Sequence, residues 1–115
     1  MLESNLIEYL DFENVDIRLG TIIKAEKYSK LKFPSMKLEI DFGDKIGIKK
    51  SSAQILKNYD HTKIVGKQIA AVINFKPKQI GKIISEVLVL GFPDQDGDPI
   101  LISPDKKLQN GIKLF

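Results

Sequence analysis

Met36-Lys37-Leu38-Glu39-Ile40-Asp41-Phe42 alternates apolar and charged side chains without a break, so a strand over these residues turns one face to a core and the other to water. Gly43-Asp44 then turns the chain, and Ile46 and Ile48 carry the pattern into a further strand that ends in Lys49-Lys50. Upstream, beyond a loop from Ser29 to Pro34, Val15, Ile17, Leu19, Thr21, Ile23 and Ala25 alternate with Asp16, Arg18, Gly20, Lys24 and Glu26, with Ile22 as the interruption. That period of two predicts a long, curved first strand, and Gly20 marks where it bends or lets another backbone approach. Downstream, Ser51 or Ser52 is placed to cap a short helix through Tyr59, with Ile55, Leu56 and Tyr59 inward. Asp60 to Gly66 is the return, Ile69 to Phe75 and Val87 to Phe92 read as buried strands, and Asp96-Gly97 is a hairpin signal before Ile100 to Ile102.

Three strands, a short helix and two more strands is the order of the OB-fold, a five-stranded Greek-key barrel whose strand face and flanking loops bind oligonucleotides. The chain is therefore read as all-β, one domain over 1–115, with the barrel at 14–103 between an N-terminal extension, 1–13, and a C-terminal extension, 104–115. Residues 4–11 predict a short helix, with Asn5 and Glu8 spaced as a capping box and Leu2, Leu6 and Leu10 on one face beside Ile7. Two turns of helix are marginal in water, so that face needs a surface on this domain or on a second copy.

At 115 residues and 43% hydrophobic content, the chain is long enough for one domain with a core and too short for two. It has no cysteine, which excludes a disulfide framework, a thiolate nucleophile and a zinc–thiolate site and fits a reducing compartment. Its apolar runs are a few residues long, whereas a membrane span takes about 20. With an acidic N-terminus in place of a basic leader start, the expectation is a soluble, cytoplasmic protein with no membrane insertion.

Charge is distributed unevenly. Residues 1–16 hold five acids and no base, residues 17–82 hold fifteen bases against five acids, and residues 83–115 hold three bases against five acids. Seventeen of the eighteen bases are lysine and only Arg18 is arginine, which favours point-charge contacts to phosphates over bidentate reading of base edges. Within the basic region, Asn74-Phe75-Lys76-Pro77-Lys78-Gln79-Ile80-Gly81-Lys82 carries three lysines and no acid, and runs on through Ser85 and Glu86 into an apolar strand. Pro77 and Gly81 keep that loop from closing into a ladder or a long helix. This loop and the Lys49-Lys50-Ser51-Ser52 turn leave neighbouring predicted strands and together suggest an RNA surface; plain solvation is the competing reading. Phe42 and Phe75 read as core, and Tyr28 and Phe33, among Lys27, Lys30 and Lys32, as candidates for an exposed stacking surface. Glu86 either pairs with a lysine or accepts a hydrogen bond from a base edge.

Signals for catalysis are missing. His61 has no cysteine or second histidine with which to form a triad or a metal site, and Ser51, Ser52 and Ser85 lack a nucleophile elbow. Asp94, Asp96 and Asp98 begin like a calcium loop, but Pro99 stands where its glycine belongs and Asp105 where its glutamate belongs, so they read as a turn. No cofactor is expected.

Val15-Asp16-Ile17-Arg18-Leu19-Gly20, Leu38 to Gly43, Lys50-Ser51-Ser52-Ala53-Gln54-Ile55, Val72-Ile73-Asn74-Phe75 and Ser85 to Gly91 resemble, in this order, the tRNA-binding domain family. The resemblance runs from about residue 12 to Asn110-Gly111. It implies a homodimeric OB-fold in which the two extensions form the dimer interface. The family includes domains appended to aminoacyl-tRNA synthetases, which bind tRNA by its structure, and stand-alone dimers regarded as export-related chaperones for unfolded preproteins. With its own start methionine, this chain is expected to stand alone. By position, the resemblance puts Asn74, Lys76, Lys78, Lys82, Ser85 and Glu86 in the tRNA-contacting loop and strand, with Lys49, Lys50 and Ser51 nearby. Many tRNA-binding members have Ser-Gln or Ser-Arg with a methionine three positions after the serine, whereas here Ser85 precedes Glu86 and Leu88, the form of the chaperone-type members. The implied partners are a second copy, tRNA, and unfolded preproteins or basic-apolar peptides.

Overall fold

A curled antiparallel sheet organises the chain in the computed structural model, which describes residues 5–29 and 33–115. The elements are α1 (Tyr9–Glu13), β1 (Ile17–Tyr28), β2 (Ser35–Asp41), β3 (Ile48–Ala53), β4 (Gln68–Val72), β5 (Lys78–Ile80), β6 (Ile83–Ser85), β7 (Leu88–Val89), β8 (Gly91–Pro93) and β9 (Pro99–Leu101). Five of them form one sheet in the order β3-β2-β1-β4-β7, while β5-β6 and β8-β9 are separate hairpins. A three-strand meander whose fourth strand returns to the first is the OB-type barrel that the strand order predicts.

The alternation in β2 sets the core. Met36, Leu38, Ile40 and Phe42 are at most 1% exposed, and Ile22, Ile55, Ile64, Ile69, Ala71, Val87 and Leu101 close around them. Each fully buried aliphatic or aromatic side chain contributes about 1.5–3 kcal/mol over its exposed state, so the inward row of β2 is the largest single-strand contribution to the fold. The intervening Lys37, Glu39 and Asp41 face outward, opposite Ser52, Lys50 and Ile48 of β3.

β1 departs from simple alternation at Ile22. Its register against β2 slips between Ile22 and Lys24, a bulge that leaves Ile23 exposed while Ile22 is buried. Before the bulge the even positions Gly20 and Ile22 face the core, and after it Ala25 does. Ile17 and Leu19 therefore lie on the other face of β1. There the C-terminal segment runs along the strand edge that β2 does not reach: Gly111 N–H donates to Leu19 O at 2.7 Å, Leu19 N–H to Ile112 O at 3.0 Å, and Leu114 N–H to Ile17 O at 2.8 Å.

Four local expectations are corrected. The helix is α1, starting five residues later than the expected 4–11 and ending two later, because Glu8 takes the N-cap and makes a reciprocal capping box with Asp11; Leu2 lies outside the described residues. No helix follows Ser51, since β3 continues through Ala53 and the chain then turns, although Ile55, Leu56 and Tyr59 do pack inward as expected. Residues 78–85 are a ladder hairpin, with Lys78 opposite Ser85 and Ile80 opposite Ile83 across a turn at Gly81, whose φ is +60°; Pro77 precedes the ladder and so costs it no donor. The apolar run 87–92 is divided between β7 and β8. The Asp96-Gly97 hairpin forms between β8 and β9. Asp94 holds it by accepting from the Asp96 and Asp98 amides and from Asn58, and these bonds keep its carboxyl below the usual aspartate range.

Gly20 is where strand curvature depends on a missing side chain. A Cβ there would stand 2.6 Å from Ile40 Cγ2 and 2.7 Å from the Phe42 ring, both fully buried. Gly20→Ala is expected to cost about 1–3 kcal/mol through overpacking, seen as a lower denaturation midpoint with an unchanged m-value.

Candidate nucleic-acid interface

β3 ends the sheet, so its outer edge would be left with unpaired backbone groups. The segment 85–87 fills that edge with a mixture of main chain and side chain. Glu86 N–H donates to Lys50 O at 2.8 Å, and Lys50 N–H donates back to Glu86 Oε1 at 2.9 Å. Two residues on, Ser52 N–H donates to Ser85 Oγ at 3.1 Å, and the buried Ser51 hydroxyl donates to Val87 O at 3.2 Å. Ser85 Oγ also donates to Val87 O. The barrel is thus closed by side chains standing in for a continuous strand.

Beside this seam lies a cleft of about 400 Å³, lined by Ser52, Phe75, Lys76, Lys78, Ser85 and Glu86 together with apolar neighbours. Phe75 is 56% exposed, which overturns its reading as core: β4 ends at Val72, so the alternation that would bury Phe75 has already stopped. Lys78 is fixed by its ladder position opposite Ser85. Lys50 and Ser52 point to one outward face of β3, so Lys50 continues the cationic rim along the seam. Among the described residues, Lys50, Lys76, Lys78 and Lys82 make no ion pair. Lys24, by contrast, is bonded to Glu26 at 3.1 Å with Glu39 beside it, and these carboxylates hold its ammonium above the usual lysine range.

Other candidates are placed elsewhere. Lys49 points to the opposite face of β3 from Lys50, opposite Ile40. Ser51 is 1% exposed. Lys82 sits just past the Gly81 turn, outside the cleft. Asn74 uses its side chain as a clasp, accepting from Asp16 N–H at 3.0 Å and donating to Asn14 O at 2.8 Å. Tyr28 ends β1 and Phe33 is exposed across the loop from it, while Lys30 and Lys32 lie outside the described residues. Arg18 is engaged by Asp16 at 2.6 Å and by Gly111 O at 2.9 Å. His61 sits in a turn beside Asp60. No set of three histidine, cysteine or acidic groups able to hold a metal occurs among the described residues, and no helix there is long and apolar enough to cross a membrane.

A second surface is apolar. Leu6, Ile7, Tyr9 and Leu10 around α1 are all exposed, and α1 buries none of its residues. Ile17, Leu19, Ala70, Leu108, Ile112 and Leu114 line a groove of about 270 Å³ on the outer face of β1 and β4.

Removing the Asn74 clasp in Asn74→Ala should free the segment 14–16 while leaving the barrel intact. Hydrogen exchange reads this directly: the Asp16 amide should exchange at least about tenfold faster, corresponding to loss of a bond worth about 1 kcal/mol or more, while β2 amides stay protected.

The family model described as "Putative tRNA binding domain" matches residues 17–113. Among curated proteins, methionine–tRNA ligase of Methanococcoides burtonii is 32% identical over 93% of the chain, and that of Archaeoglobus fulgidus is 31% identical over 99%. The chain spans only 15% and 17% of the length of these two relatives. Two solved structures match across both chains: the chaperone CsaA of Bacillus anthracis, at 44% identity and TM-score 0.90 over 96% of this chain and 99% of that one, and the CsaA chaperone protein of Picrophilus torridus, at 45% identity and TM-score 0.87 over 96% and 100%.

Proposed function

The chain belongs to the tRNA-binding domain family, and from that premise we propose that it is a non-catalytic, cytoplasmic binding protein whose seam-side cleft takes up tRNA. The observation that carries this reading is the juxtaposition in one cleft of the exposed Phe75 ring with the unpaired Lys76 and Lys78. A flat apolar face stacks on an unpaired base, and cations beside it neutralise the flanking phosphates, the combination used to bind single-stranded and loop RNA. Lys50 extends the phosphate track along β3, Lys82 lies at the hairpin tip, and Lys49 and Asn74 act from the margins. Ser51 and Ser85 hold the cleft's shape. Lysine without arginine makes backbone and shape the main determinants of affinity. On this reading the partners in the cell are tRNA and, as in the methionine–tRNA ligases that carry a similar domain, an aminoacyl-tRNA synthetase.

A second reading is favoured by the full-length similarity to CsaA chaperones: a chaperone for protein export that holds unfolded preproteins or basic-apolar peptides. The apolar groove and the exposed α1 face supply the surface by which two copies form a homodimer, with the two extensions at the interface. The apolar rim of the cleft, including the half-exposed Leu88, then holds client side chains, with Glu86 as a complement to basic ones.

Titration of tRNA against salt, with an unfolded preprotein as competitor, separates the two. For RNA binding, log affinity should fall against log salt by about 0.7–0.9 per phosphate neutralised, and Lys76→Ala with Lys78→Ala should make the slope shallower by about 1.5. Absence of binding at low salt, with suppression of preprotein aggregation instead, assigns the cleft to the chaperone role; an unchanged slope in the double variant removes these lysines from the RNA site.

A further inference from the structure

Glu86 faces a cleft that contains two lysines and is paired with neither. Lys76 and Lys78 line the same cleft, yet no lysine nitrogen among the described residues lies within 4.0 Å of the carboxylate. The seam explains why. Oε1 is committed to the Lys50 amide at 2.9 Å, and the Glu86 amide is committed to Lys50 O, so the side chain is anchored on the β3 wall of the cleft. Oε2 accepts no hydrogen bond from the described residues, and no buried side-chain oxygen among them is left without a partner, so Oε2 is open to solvent. The exposed Phe75 ring lines the same cleft as this fixed acceptor.

An anchored carboxylate, an exposed aromatic face and separate cations form a site for a ligand carrying both signs. A nucleotide does so when its phosphate meets the lysines, its base stacks on Phe75, and a donor on its edge meets Glu86. The four bases differ in what they offer a carboxylate. Guanine presents two adjacent donors, N1–H and the N2 amine. Adenine and cytosine place a ring acceptor next to their single amine, and uracil flanks its one N–H with two carbonyl oxygens. An ionised acceptor therefore gains a charge-assisted pair from guanine and meets like polarity on the other three.

Resting on the reading of the cleft as an RNA site, we propose that Glu86 makes it selective for an unpaired guanosine. The negative charge that weakens general phosphate attraction would here provide discrimination: the acid rejects an RNA that brings only phosphates and accepts one that also brings a donor edge. Specificity of this kind combines an attractive contact with a repulsive one.

The test uses the full chain and short uridine-flanked RNAs that differ at one central nucleotide, guanosine, inosine, adenosine, cytidine or uridine, read by fluorescence anisotropy at one low salt concentration. The guanosine RNA should bind about tenfold tighter than the adenosine, cytidine and uridine RNAs, the size of discrimination expected when both guanine donors meet the one open carboxylate oxygen. Inosine, which keeps N1–H and lacks the N2 amine, should fall between. Glu86→Gln keeps an oxygen for the Lys50 amide, so the seam and the melting temperature should survive; its guanosine preference should collapse, and the all-uridine RNA should bind more tightly once the carboxylate is gone. Equal affinity for all five RNAs, or a guanosine preference that persists in Glu86→Gln, overturns the role of Glu86 while leaving the RNA reading standing. If neither these RNAs nor tRNA bind, the RNA reading itself falls, and the inference with it.

Discussion

The reciprocal bond between Lys50 and Glu86 is the constraint on which both the barrel and its cleft depend. A five-stranded sheet this curled has two edges to bring together, and an unfilled edge exposes a row of unpaired donors and acceptors. β7 is only two residues long, too short to run the length of β3. The chain instead spends a glutamate and two serines on the gap, with Glu86 pairing main chain to main chain in one direction and side chain to main chain in the other. The same two bonds that close the barrel fix Glu86 in place and set the wall against which Phe75, Lys76 and Lys78 are arrayed. The seam and the cleft wall share their atoms.

Much of the fold was legible because it rests on short-range pattern. The row Met36, Leu38, Ile40 and Phe42 announced β2 and its buried face, and Asp96-Gly97 announced the last hairpin. What the pattern concealed was longer in range. The apolar odd positions of β1 look like the core set, but the bulge at Ile23 reverses the phase, and Leu19 is covered from the other side by residues 111–114. Serine in Ser51-Ser52 looks like a helix cap, but pairing with β2 carries the strand through Ala53, and the distant segment 85–87 then takes the serine side chain and amide on the outer edge. The hairpin 78–85 was hidden by Pro77, which reads as a breaker yet stands one residue before the ladder begins.

The candidate site was legible in its chemistry and less so in its geometry. Lysines at 76 and 78 mark a cationic stretch in any reading of the sequence, and the structure brings both to one cleft. Phe75 looked like a core residue because it follows an apolar strand, and only the end of β4 at Val72 releases it. Arg18, the single arginine, is occupied by Asp16 and the Gly111 carbonyl, so it serves the junction of the two chain ends and the surface cations are all lysine. Net charge alone, at +3, would have suggested little; its division among paired and unpaired lysines carries more information.

The strap of residues 111–114 along β1 has a consequence for how the chain reaches its native state. The first strand keeps one edge open, over residues 17–20, until a segment more than ninety positions later has been synthesised and has folded back. Contacts of such sequence separation are costly in loop entropy and slow to form. Until then the folding chain exposes an apolar strand edge with Ile17 and Leu19, and an open edge of this kind invites edge-to-edge association. Arg18 and Gly20 interrupt the apolar run at that edge, and Arg18, which later meets Gly111 and Lys113 of the strap, thereby also makes the waiting strand a poor template for aggregation.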